Sequence, residues 1–476
     1  MTEKPFKHLL FWLLLLSPAL ASALPLYTAR GGRTCDNCHS LPNTWFDPPD
    51  WADRKCTMSC SGCHVDPGGG GMRTVSGRYY GNETLPMFAV DERPLVDRQR
   101  DMLDWLKGVE RKAPASQPSS GAPTVATEQV DPRGPNTPTP LAGPAFGTPL
   151  YHQSSHMSWL EGRYGDLKAD PLIAFGGDAR LGAWLAGPLI FPMQGDLYTS
   201  VQPIEHLTLS ASAGIRGRSR SIDLDGGGVD EQDRVGIRDL WVMTHEWPYL
   251  SYARVGRFLP IFGTRVADHT AYIRRPFGLS QEDPANRVVG AELGFTANYP
   301  YLHASVFKPS SAQARDPFAT ADGWGTAVSA GWRDLGWQIG ASGMLRRRPL
   351  EGGGDTTDVS LQWGFNPWFY WKALPLTYLG EISAGRLQRP LSGKETTQTA
   401  AYHQLAWTAF NGIVIRGRYD FWDPDREVKE DHIHRPGLGF DLHPWTGLTF
   451  SADFRVGLPA GGNASGDLFL QLHGWF

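Results

Sequence analysis

From about residue 171 to Phe476 the chain is written in a period of two. In "HLTLSASAGIRG" Leu207, Leu209, Ala211, Ala213 and Ile215 share one face, and Thr208, Ser210, Ser212 and Arg216 share the other. In "GIVIRGRYDF" Ile413, Ile415, Tyr419 and Phe421 oppose Arg416, Arg418 and Asp420. In "LTFSADFRVGL" Leu448, Phe450, Ala452, Phe454, Val456 and Leu458 oppose Thr449, Ser451, Asp453 and Arg455. Successive strand side chains point to opposite sides, so each segment predicts a strand with one apolar and one polar face. Such segments begin near 172, 194, 206, 234, 250, 287, 300, 324, 336, 356, 374, 397, 411, 434, 446 and 466, which makes about 16 strands.

So many one-faced strands have two ways to bury their apolar side. A soluble sandwich or propeller packs it inward; a closed barrel in a bilayer turns it outward. The connections favour the barrel. Short turns near Pro203, Trp247, Tyr299, Asp334, Asn366, Asn411 and Pro444 alternate with long polar loops at 218–233, 259–286, 309–323, 348–355, 423–433 and 458–465. Short turns on one rim and long, outward-facing loops on the other are the habit of outer-membrane barrels, and this order leaves both barrel ends in the periplasm. Aromatic residues gather near strand ends in "WGFNPWFYW", "YDFW" and "HGWF", as an interfacial girdle requires. Arginines recur on the polar faces, where a lumen accepts them and lipid does not. The fold expected is therefore all-β, an antiparallel transmembrane β-barrel of about 16 strands over 171–476, associated with outer-membrane lipid. Mean hydropathy of −0.33 agrees, since alternating strands average out while membrane helices do not. A formal net charge of −4 is too mild to point to a nucleic-acid partner.

Upstream, "MTEKPFKHLLFWLLLLSPALASA" has a basic start, a short apolar run and an A-x-A site, which predicts a signal peptide over 1–23 and export. Residues 112–170 include a Pro-, Ala-, Ser- and Thr-rich stretch that reads as a linker. Between them, 24–111 reads as a small, mostly irregular or helical domain. It carries one amphipathic helix, expected from about Leu95 to Val109, and all five cysteines of the chain.

Four of those cysteines form Cys35-Asp36-Asn37-Cys38-His39 and Cys60-Ser61-Gly62-Cys63-His64, two copies of C-x-x-C-H. This is the attachment motif of c-type haem: two thiols add to the two vinyl groups of one porphyrin, and the adjacent histidine reaches the iron. A zinc site has comparable cysteine spacing, but zinc does not require a histidine after each pair. Disulfides suit an exported chain, but a C-x-x-C bridge closes too small a loop to staple much, and Cys56 would stay unpaired. The expectation is thus two covalently attached haem c groups with His39 and His64 as proximal ligands. Met58, Met72 and Met87 are the nearest candidates for a distal ligand, Met72 the favoured one because "GGGG" lets the backbone close around a flat ring. His152 and His156 are alternatives from across the linker, and Cys56 reads as a free thiol or an axial thiolate. The acidic loop segments 223–233 and 423–434 are candidate cation sites or simply solvated loops.

An exported chain with two C-x-x-C-H motifs and a barrel ending in Phe476 resembles the fused cytochrome-porin family of outer-membrane iron oxidases. The resemblance covers the architecture of nearly the whole chain and implies a haem domain plugging a 16-stranded barrel. It also implies electron transfer across the outer membrane, from extracellular Fe(II) to periplasmic c-type cytochromes. The best-known members carry a single motif, so this chain resembles a distinct dihaem branch or one that serves extracellular reduction instead. Two other readings of the residues remain: a peroxidase-like haem enzyme with an open distal position, and a diffusion porin with a tethered periplasmic cytochrome.

Overall fold

The computed structural model describes residue 60, residues 64–73 and 85–87, and 173–476 apart from 217–234, 366–375 and several shorter stretches. The expected signal peptide, linker and amphipathic helix, together with Cys35, Cys38, His39, Cys56, Met58, Cys63, His152 and His156, lie outside the described residues.

Sixteen strands form one closed ring, each antiparallel to its neighbours. They are β1 (Ile173–Trp184), β2 (Leu189–Ile204), β3 (Leu207–Arg216), β4 (Val235–Trp247), β5 (Ser251–Phe258), β6 (Val288–Phe295), β7 (Pro300–Pro309) and β8 (Trp324–Asp334). The second half comprises β9 (Trp337–Arg347), β10 (Asp355–Phe365), β11 (Leu376–Gln388), β12 (Glu395–Phe410), β13 (Ile413–Asp423), β14 (Ile433–Leu442), β15 (Leu448–Pro459) and β16 (Ser465–Trp475). Every strand pairs with the next in sequence, and β1 pairs with β16 to shut the ring.

The period of two becomes an inside and an outside. On β3, Leu209 and Ile215 are exposed while Thr208 and Ser212 are buried; on β13, Ile415 is exposed while Arg416, Arg418 and Asp420 are buried. Ile190, Leu197 and Leu438 are exposed to 79%, 68% and 68%, whereas Arg238, Arg254 and Arg257 are exposed to 1%, 0% and 0%. Apolar side chains outside and charged ones inside are the arrangement of a transmembrane barrel, in which lipid covers the outer surface. Trp247, Trp332, Trp407, Phe410, Trp445 and Phe476 stand exposed along the short-turn rim as one girdle. The chain crosses by strands; no helix among the described residues is long and apolar enough to do so.

Phe476 lies beyond the last strand yet belongs to the seam. Its N–H donates to Gly177 O at 3.1 Å, and Gly177 N–H donates to Phe476 O at 3.3 Å. A Cβ at position 177 would stand 2.6 Å from the Phe476 ring and 3.2 Å from the Asp196 carbonyl, so only glycine fits there. Gly177→Val should overpack the seam by about 1–3 kcal/mol. The check is the temperature at which the barrel's compact electrophoretic band converts to the unfolded one; an unchanged transition would refute the seam packing.

One expectation needs correction. The connection 259–287 between β5 and β6, expected to face outward, folds into the lumen over its described residues. Leu259, Phe262, Val266, Ala271, Ile273, Phe277 and Leu279 are buried, and together with Trp241, Tyr252, Phe258, Phe307, Met344 and Tyr402 of the wall they form a core inside the barrel. The reason is visible in "RFLPIFGTRVADHTAYIRRPFGL": the segment carries too much apolar surface to remain in solvent, and the lumen is the one place where it is covered.

Candidate functional site: the plugged lumen

The inward loop is held on both sides of the lumen. Near its start, Gly263 N–H donates to Ser342 Oγ at 3.0 Å and Thr264 N–H to Glu381 Oε2 at 2.6 Å, while Ser360 and Ser383 hydroxyls donate to Glu381 Oε1 at 2.8 and 2.9 Å. A buried carboxylate with this many donors is well compensated. Across the lumen Asp268 is paired with Arg418 and, at 3.2 Å, with Arg455, and Arg435 donates to Thr270 O at 2.7 Å. Asp453 and Asp441 complete this cluster around Arg416, at 2.9 and 2.6 Å. Arg416, Arg418 and Arg455 thus face the lumen as expected; Arg418 and Arg455 fasten the loop through Asp268, and Arg416 pairs within the wall.

Burial works to raise the Asp268 carboxyl, but Arg455, Arg418 and Arg435 outweigh it and hold the group well below the usual carboxylate range. A depressed folded value means that the stabilisation is complete above the ordinary value of 3.8 and is lost only as pH falls through the folded one. The loop should therefore stay docked down to about pH 4. Pepsin digestion across that range should leave 259–287 intact, and cleavage there at pH 4 would contradict the anchoring.

The second occupant of the lumen is the segment 64–73. His64 and Arg73 form an antiparallel bridge, and Val65 N–H donates to Met72 O at 3.0 Å, so the segment is a hairpin whose turn is the glycine run 68–71. Gly69, Gly70 and Gly71 adopt φ of 82°, 81° and 62°, a left-handed series that other residues resist. Asp66 ties the hairpin to both the wall and the inward loop: it pairs with Arg254 of β5 at 3.1 Å and with Arg265 at 3.4 Å, and it also accepts the Gly68 N–H at 2.7 Å. Arg265 in turn donates to Gly69 O at 2.8 Å. Burial opposes ionisation of Asp66, yet Arg254 and Arg265 hold its carboxyl at about 2. At the other end Arg73 lies 3.6 Å from Asp178 of β1 and 4.0 Å above the Trp475 ring of β16. Between hairpin, inward loop and the β2–β4 wall lies a cavity of about 50 Å³, room for a few water molecules.

The sequence-derived site residues sort as follows. Cys60 and His64 come together: His64 N–H donates to Cys60 O at 2.8 Å, closing one helical turn, and a Cβ at Gly69 would lie 3.3 Å from the Cys60 sulfur. Cys60 is half-buried and in no disulfide, and its thiol is within electrostatic reach of Tyr301 and Arg333 on the wall. Burial, aided by Arg73, lowers the His64 imidazole to about 4, so it is neutral, and its Nδ1 is buried without a hydrogen-bond partner. Met72 packs with Val65 against Ala174 and Tyr198 on the β1–β2 wall, on the face of the hairpin away from His64. Met87 lies at the short-turn rim, its N–H donating to His443 O at 2.8 Å. In the loop end 423–434 the Val428 N–H donates to Asp425 O at 2.7 Å and the Glu427 N–H to Asp425 Oδ1 at 3.3 Å, and among the described residues no three His, Cys, Asp or Glu side chains cluster as a metal site. The inward loop, Asp66, Arg254 and Arg265 were not singled out by the sequence. The one available signal was an apolar run in a supposedly polar connection.

No family model matches the chain, and no curated protein matches it. Among solved structures it is similar in outline to an anion-selective porin from Comamonas acidovorans (TM-score 0.46, 11% identity, 64% of this chain and 99% of that one). It is also similar to a loop-deleted OmpT, an outer-membrane protein of Vibrio cholerae (0.47, 10%, 64% and 99%), and to Pseudomonas putida OprB (0.46, 11%, 64% and 93%). The continuous ring of strand pairs, rather than these likenesses, establishes the porin-like barrel.

Proposed function

We propose that this chain is an outer-membrane electron conduit, with one haem c on Cys35 and Cys38 and a second on Cys60 and Cys63, ligated proximally by His39 and His64. When bound, each haem supplies a one-electron carrier. The described residues fit such a group: Cys60 is in no disulfide, His64 is one helical turn away and neutral with an unpartnered ring nitrogen, and glycine at position 69 lets the hairpin backbone pass close to the sulfur. A neutral imidazole is the form that binds iron.

The observation that carries this reading is that Cys60–His64 leads into a hairpin fastened inside the barrel by Asp66, Arg254 and Arg265. The bilayer core, about 30 Å thick, is closed to a solvated electron carrier, so a fixed redox site within the lumen shortens the gap that must be crossed. The same residues work against the diffusion-porin reading. A solute path needs open water, and here the hairpin and the inward loop occupy part of the lumen. In the direction implied by the family resemblance, electrons pass from extracellular Fe(II) to c-type cytochromes on the short-turn side.

The test uses the full chain in liposomes that enclose a reduced dye. Oxidation of the dye by external ferricyanide without escape of a trapped sugar supports the conduit; sugar escape without oxidation supports the porin. Spectra recorded while Fe(II) and then a soluble cytochrome c are added give the direction.

A further inference from the structure

We infer that His303 of the barrel wall is the distal axial ligand of the haem attached to Cys60 and Cys63. This inference rests on the function proposed above.

His303 lies on the inner face of β7 and is 5% exposed. Its ring is fixed between two tyrosine rings, Tyr252 and Tyr301, each with its centroid 5.9 Å away. Tyr252 stands two strands away on β5 and reaches His303 because the intervening residue of β6 is Gly294. A Cβ there would lie 2.0 Å from the Tyr252 ring. The backbone of β6 thus leaves a slot for one aromatic side chain, whose hydroxyl ends 2.8 Å from His303 Nδ1.

The hydrogen bonds define the tautomer. Tyr252 has one hydroxyl proton, and it donates to Glu292 Oε1 at 2.7 Å, a carboxylate paired with Arg254 at 2.8 Å. Donation to a charged acceptor is the stronger bond. The contact with His303 is then Nδ1–H donating to the tyrosine oxygen, which leaves the lone pair on Nε2. No described residue bonds to Nε2. An imidazole whose Nδ1–H is held by an oxygen and whose Nε2 is unengaged is the arrangement of a metal-binding histidine.

Its position matches the same haem. The Cys60 thiol is within electrostatic reach of Tyr301, which packs on His303, and of Arg333, whose guanidinium lies 4.9 Å over the Tyr301 ring. Asp66, two residues beyond His64, is bonded to Arg254 at 3.1 Å and so joins the Glu292–Tyr252–His303 chain. The hairpin that follows His64 is thus joined to His303 through Asp66, Arg254, Glu292 and Tyr252, while Met72 packs on the β1–β2 wall.

The test is ferric electron paramagnetic resonance and a redox titration of the full-length holoprotein in detergent. In His303→Ala one of the two haems should change from low-spin to high-spin, and added imidazole should restore it. His303→Met should stay low-spin with a higher potential, as methionine ligation gives. Tyr252→Phe should keep the low-spin signal and also raise the potential, because the ligand loses the acceptor that increases its basicity. Unchanged spin state and potentials for both haems in a folded His303→Ala barrel would overturn the inference and leave the conduit standing. Mass analysis finding no haem on the Cys60–Cys63 peptide would overturn both.

Discussion

Replacing Arg254 with leucine is expected to release the hairpin and make the barrel leak. Arg254 is fully buried, pairs with Asp66 at 3.1 Å and Glu292 at 2.8 Å, and lies 4.2 Å over the Phe258 ring. Leucine preserves the contact with Phe258 but leaves Glu292 in the lumen without its cation and Asp66 with Arg265 alone. Removing one partner of a buried ion pair costs about 3–5 kcal/mol, a factor of a hundred or more in the docked population. The measurement is uptake of small sugars by liposomes, near background for the native chain and raised in the variant. Adding Glu292→Gln to Arg254→Leu should recover part of the seal, since the carboxylate left without a cation is removed and Asp66 keeps Arg265. A sealed single variant would show that the hairpin is held by something other than this cation.

The second large effect concerns the inward loop. Asp268→Ala should undock it, again at a cost of about 3–5 kcal/mol. The side chain pairs with Arg418 and Arg455, and its Oδ1 accepts the Thr270 N–H and hydroxyl at 2.9 and 2.7 Å. Its loss leaves the guanidiniums of β13 and β15 facing one another with only Asp453 between them. Trypsin reports the outcome directly, because Arg265, Arg274 and Arg275 lie within the loop. The native barrel should resist cleavage there and the variant should not, while the ring of strands stays resistant in both. Protection of the loop in Asp268→Ala would assign the docking to its apolar core alone.

The strand count was legible because lipid outside and water-compatible groups inside impose a period of two on each strand. Strand starts near 172, 206, 234, 250 and 287 fall within one residue of Ile173, Leu207, Val235, Ser251 and Val288. The reading fails at β2, which begins at Leu189 rather than near 194. Pro192 interrupts the pattern, and the register with β1 shifts there, between Arg180 and Leu181, so the first residues of the strand do not alternate as the rest do. The inward loop was missed for a different reason. Its apolar residues follow no strand or helix period, because they pack against an irregular interior instead of a flat neighbour. At the site, the cysteine and histidine spacing was local and could be read, whereas Asp66, Arg254 and His303 are separated by 49 to 237 positions and meet only when the ring closes. Met72 illustrates the limit. Its glycine-rich setting does wrap the backbone closely, but the hairpin register turns its side chain to the β1–β2 wall.

The contacts of Arg73 carry a consequence for the order of assembly. Its carboxylate partner, Asp178, belongs to the first strand, and the indole it covers, Trp475, to the last, and these two meet only at the seam. The grip on Arg73 is therefore completed by the final step of ring closure. In the function proposed above, haem attachment to the cysteines precedes that step, since afterwards the hairpin is walled in by strands. Biogenesis then becomes a checkpoint: an early hairpin is enclosed as the seam forms, and a late one meets a barrel already shut.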